Sequence, residues 1–127
     1  MTTSARPALV VAVEGASAVS GLTRFRAADL RRAQLERGYL RADAERDGRD
    51  PDAVVAALEV DVVLDERAAD ARAAYVGPGD GVTYVGTPHG LRSLIEDVYA
   101  AEVADAVVLR PVGGARTAEL IAGLLAA

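Results

Sequence analysis

Cysteine, tryptophan and lysine are all missing from this chain of 127 residues. Without thiolates there can be no disulfide framework and no sulfur-ligated zinc site, which suits a reducing compartment and makes the cytoplasm the expected location. Aromatic residues are only 4% of the total, so the core has to be built from Ala, Val and Leu, and no stacking platform for bases is on offer. A net charge of −5 and a pI near 4.8 would repel nucleic acid rather than gather it. Long apolar runs are lacking too: no stretch approaches the roughly 20 residues of a membrane span. The N-terminal MTTSARPALVVAVEG has an apolar run shorter than a secretion signal's core, and it ends in a carboxylate, so neither insertion nor export is expected.

What is present fits one α/β domain over residues 1–127, of the usual size for a single core. All fourteen basic residues are Arg against an Ala-rich background, as in proteins of GC-rich bacterial genomes. PALVVAVE, Pro7 to Glu14, is a short β-branched apolar run entering a glycine and reads as a buried strand. GASAVSG then reads as a tight loop, and Thr23 as the cap of a helix starting near Arg24. Leu30, Ala33, Leu35, Leu40 and Ala44 continue at helical spacing, with Gly38 a weak point that could split the helix. Gly48 stops it, and Asp50-Pro51 predicts a new cap and a turn of helix through Ala57.

LEVDVVLDE predicts a strand with Leu58, Val60, Val62 and Leu64 on one side and Glu59, Asp61, Val63 and Asp65 on the other. Arg67 to Tyr75 is an Ala-rich helix, followed by a VGPGDG loop. The last unit is the clearest. A Thr-Pro start leads into a helix with Leu91, Leu94, Ile95 and Val98 on one face, then the strand AVVLRPV, a glycine pair and a final helix. Strands alternating with helices imply βα units on a mainly parallel sheet, with functional loops at the strands' C-terminal ends.

YVGTPHGLRSLIEDVYAAEVADAVVLRPVGG resembles the closing unit of the luciferase-like flavin-dependent monooxygenases, where Gly-Thr-Pro opens the penultimate helix and an apolar strand completes the barrel. AERDGRDPDAVVAALEVDVVLDERAADARAAY and VAVEGASAVSG are similar to that family in the same order, so the likeness covers most of the chain. The resemblance implies a partial TIM-barrel-like set of βα units, truncated relative to a (β/α)8 barrel because the family's N-terminal half is absent. It implies FMN or a related deazaflavin as cofactor, flavin-dependent oxidation or oxygenation of a small-molecule substrate, and a phosphate-binding loop at Gly15, Ala16 and Ser17 with Ser20, Gly21 and Thr23. Glycines that let backbone approach a phosphate, followed by a helix N-terminus, give that loop an independent physical logic. Three strands cannot enclose a ligand, and an open sheet leaves edges to cover, so a homodimer or a complementary subunit is expected. The alternative is a noncatalytic structural or accessory protein that keeps the scaffold without its cofactor.

Glu14, at the end of the first strand, can contact a ligand or hydrogen-bond local amides. Arg110, at the end of the last strand, can hold an anion or make a surface ion pair. His89 is the only histidine, so one chain cannot assemble a triad or a two-His metal site, and its place after Thr87-Pro88 predicts a solvated first-turn residue. Glu59, Asp61, Asp65 and Glu66 could suggest a hard-metal site, but strand alternation predicts carboxylates in water. Arg24, Arg26, Arg31, Arg32 and Arg37 read as a solvated helix face paired with Asp29 and Glu36.

Overall fold

A computed structural model describes residues 6–15, 20–77 and 79–126. Those residues form an α/β structure with five strands and four α-helices, in which every strand pairing is parallel. The strands are β1 (Val10–Val13), β2 (Thr23–Phe25), β3 (Ala56–Leu64), β4 (Thr83–Gly86) and β5 (Ala106–Pro111). The helices are α1 (Leu30–Arg46), α2 (Ala68–Ala74), α3 (Pro88–Ala100) and α4 (Ala115–Ala126).

β3 is the centre. One of its edges carries β5, which in turn carries β1. Its other edge is shared end to end: β2 pairs with Ala56–Leu58 and β4 with Asp61–Leu64. First and last strands are therefore neighbours, with Val10 opposite Ala106 and Val13 opposite Leu109.

Strand alternation sends Leu58, Val60, Val62 and Leu64 to one face, where they join Val107 and Leu109 of β5 and the apolar sides of three helices. Leu91, Ile95 and Val98 of α3 recur at helical spacing, and burying each contributes roughly 1.5–3 kcal/mol. Ile121 of α4 and Ala33 of α1 complete this core. Small residues line the opposite face, where Ala12, Ala57, Ala106 and Val108 pack with Val10, Leu22 and Val55.

At the N-terminal end of the sheet, Asp105 is fully buried yet well supplied with donors. Arg37 approaches it at 3.1–3.2 Å, Arg6 Nε donates at 2.8 Å, and the Ala56 N–H donates at 3.1 Å. Burial pushes the Asp105 carboxyl upward, but the hydrogen bonds from Arg37 and Arg6 outweigh that, and it lies below the ordinary carboxylate range. Arg6 also lies 3.8 Å over the Tyr99 ring and donates to the Tyr99 and Ala104 carbonyls, so it straps the segment before β1 to the end of α3.

Several expectations need correcting. Thr23 does not cap a helix: Thr23–Phe25 is strand, and α1 begins at Leu30 with Asp29 accepting from the Arg32 N–H. The Thr-Arg-Phe-Arg segment finds an open edge of β3, and that pairing overrides its charged, helix-like composition. Gly38 leaves α1 unbroken. Asp50 does cap, but only a single 3₁₀ turn, Pro51–Ala53, because the β3 backbone is already paired from Ala56. Five strands are present where three were expected; β2 and β4 are too short to carry a periodic signal.

Candidate functional site

The face opposite the helices carries its charge toward the strands' C-terminal ends. Alternation puts Arg24 and Arg26, Glu59 and Asp61, and Glu14 and Arg110 on the same side of the sheet as Ala12, Ala57 and Val108. These small side chains leave room for long ones to lie across them. β1 and β2 are three strands apart, about 14 Å on a flat sheet. Even so, Arg24 Nη2 reaches Glu14 Oε2 at 2.5 Å, spanning the sheet face.

Three guanidiniums and four carboxylates form one network. Arg24 also donates to Glu59 at 3.0 Å. Arg26 holds Asp61 at 3.2 Å and Asp80 at 2.9 Å, and lies 3.5 Å from Glu59. Arg110 reaches Asp61 at 3.2 Å and Glu14 at 3.7 Å. Hydrogen bonding to Glu14 raises the Arg24 pKa, bonding to Asp61 raises that of Arg26, and Arg26 in turn lowers that of Asp80. Gly81 lies against this network: a Cβ there would stand 2.7 Å from Arg26 Nη2, the far end of a flexible side chain that would have to shift.

The expected cofactor residues divide into two groups. Glu14, Gly15 and Arg110 lie at the C-terminal end of β1 and β5. Gly15 is in the left-handed region at φ +79, with open space where a Cβ would stand. Ser20, Gly21 and Thr23 lie on the way into β2, and Thr23 pairs with Ala56 at the start of β3. That is about 20 Å away along the strand direction. Thr23 there borders a different hollow, of about 290 Å³, lined also by Leu40, Asp47 and Val54. Ala16 and Ser17 lie outside the described residues. The helix expected directly after Thr23 begins only at Leu30, since β2 intervenes.

Other expectations resolve residue by residue. Glu59 and Asp61 are not solvated: their side chains are 16% and 13% exposed and are held by arginines. Arg24 and Arg26 belong to β2 and its exit rather than to a helix face, and Arg37 is buried on Asp105. Arg31 and Arg32 are exposed on α1, as expected of that face, and Asp29 is exposed as its N-cap. Asp65 and Glu66 follow β3; Glu66 pairs with Arg116 at 2.6 Å, which raises the arginine's pKa. His89 is exposed in the first turn of α3. Among the described residues, no three His, Asp or Glu side chains are grouped to hold a metal ion, and no helix is long and apolar enough to cross a membrane.

Arg24, Arg26, Glu59 and Asp61, read from the sequence as solvated, and Asp80, not singled out, are the members outside the expected site. A signal existed: Arg24 and Arg26 flank Phe25 at strand spacing, as Glu59 and Asp61 flank Val60. No protein-family model matches the chain, and no curated protein matches it.

Proposed function

We propose that this chain is a reduced luciferase-like protein that binds FMN or a deazaflavin at the C-terminal end of β1 and β5, with a second copy or complementary subunit completing the enclosure. The observation that carries this reading is the meeting of Glu14, Gly15 and Arg110 at the C-terminal ends of adjacent parallel strands, where ligands of α/β sheets bind. The first described strand also lies beside the last, the pairing that closes a (β/α)8 barrel, whereas β4 returns to the edge of β3 that β2 occupies instead of lying between β3 and β5.

When bound, the flavin supplies the electron chemistry. In this reading the chain's own residues bind and orient it: the Gly15 backbone allows close approach, and the Arg110 guanidinium offers planar donors to an anionic group. Titration with FMN and with a deazaflavin, followed by fluorescence quenching, tests the proposal. Saturable quenching is expected, weakened at least tenfold by Arg110→Ala and by Gly15→Val. A folded protein that quenches neither cofactor favours the second reading, a noncatalytic accessory scaffold. One observation speaks for that alternative: Arg24, Arg26 and Arg110 already hold carboxylates of the chain itself.

A further inference from the structure

We infer that the Glu14 carboxylate is a displaceable internal occupant of an oxyanion site formed by the guanidiniums of Arg24 and Arg110, and that a phosphate monoester or free phosphate takes its place. The inference refines the proposed cofactor reading and rests on it for the site's location. One oxygen, Glu14 Oε2, lies 2.5 Å from Arg24 Nη2 and 3.7 Å from Arg110 Nε, between cations contributed by β2 and β5. A phosphate group presents several oxygens to the same two planar forks, a geometry that guanidinium donors match bidentately.

Of the carboxylates that meet Arg24 or Arg110, Glu14 is the one open to water: its side chain is 43% exposed, against 16% for Glu59 and 13% for Asp61, while the still more exposed Asp80 pairs with Arg26. Glu59 and Asp61 are on the central strand, where Arg26 also holds them, so they stay and keep the guanidinium planes in position. Glu14 follows the last residue of β1 and precedes Gly15, whose surroundings are open. The charges facing the site are Arg24, Arg26 and Arg110 against Glu14, Glu59, Asp61 and Asp80. With Glu14 in place the carboxylates exceed the guanidiniums by one; with Glu14 swung out, the charges balance and an incoming anion meets no net repulsion. An internal competitor of this kind lowers apparent affinity by the fraction of time it occupies the site.

Calorimetric titration with inorganic phosphate at fixed ionic strength tests this directly. Glu14→Gln is expected to bind phosphate at least tenfold more tightly than the unaltered protein, and adding Arg24→Ala or Arg110→Ala is expected to remove the gain. Glu14→Ala serves as a second unmasking variant, with circular dichroism reporting the fold of each. FMN and riboflavin arms separate the sources: a gain for FMN but not riboflavin identifies a cofactor phosphate, whereas a gain for inorganic phosphate with no flavin binding keeps the oxyanion site and removes the flavin reading. Two results overturn the inference: folded Glu14→Gln and Glu14→Ala proteins with unchanged phosphate affinity, or a gain that survives both arginine substitutions. Flavin binding that is indifferent to Glu14 would leave the cofactor reading standing without it.

Discussion

Two ion-pair systems built from the same residue types behave differently because of where they sit. The Asp105 carboxylate is at the N-terminal end of the sheet, fully buried, and receives its hydrogen bonds from the chain itself. The Glu14 network is at the other end, open to water. Replacing Asp105 with Ala would leave Arg37 buried without its counter-charge, a loss of about 3–5 kcal/mol that a denaturant midpoint would register. The pH dependence follows from the direction of the shift. The folded-state pKa of Asp105 is depressed, so its contribution is fully present above the unfolded value of roughly 4 and is lost as the pH falls through the folded value. Acid unfolding of the intact protein should therefore steepen below pH 4, and a charge-neutral Asp105→Asn variant should lack that component.

Among the elements, α1 and the turn into α4 show opposite uses of glycine. Gly38 is inside α1 with nothing within 4 Å of a Cβ position, so Gly38→Ala should raise stability by about 0.5–1 kcal/mol. Gly113 is confined: a Cβ would stand 2.3 Å from Thr117 Oγ1 and 3.0 Å from Val63 Cγ1. Thr117 Oγ1 accepts from the Leu64 N–H at 3.0 Å, so Gly113→Ala should dislodge that bond and lose roughly 1–3 kcal/mol. Thermal melts of the two variants should move in opposite directions.

The same elements mark how far the sequence could be read. The Thr87-Pro88 start of α3, its Leu91, Ile95 and Val98 stripe and the apolar run of β5 were legible because each carries a full period and a cap. β2 was not, because three residues hold too little pattern and its pairing depends on an edge of β3 distant in sequence. The site was legible in part for a similar reason. Glu14 and Arg110 could be placed at strand ends, but Arg24 reaches Glu14 only through the register of four strands, which no local spacing encodes.

For the molecule as a whole, the sheet is apolar where the helices cover it and apolar again beside β1. Leu9, Val11, Ile95 and Leu124 line a hollow of about 280 Å³ there with Arg92 and Glu96, and Leu125 beside them is 41% exposed. Among the described strands β1 has one neighbour, β5, and such edges are normally paired or covered. A homodimer is accordingly expected, and light scattering should return twice the 13.1 kDa of one chain. A single-chain mass at tens of micromolar protein would remove the second copy from the proposal and leave only a complementary subunit.

Placing β1 against β5 also constrains how the polypeptide can be made. Val10 finds Ala106 only after β2, β3 and β4 and the helices between them have left the ribosome. Until then a sticky valine-rich segment waits without its native neighbour, and closing so long a loop is slow. The strap from Arg6 to Asp105 and Tyr99 can likewise fasten only once Asp105 has emerged, so that contact forms late relative to the segment it holds.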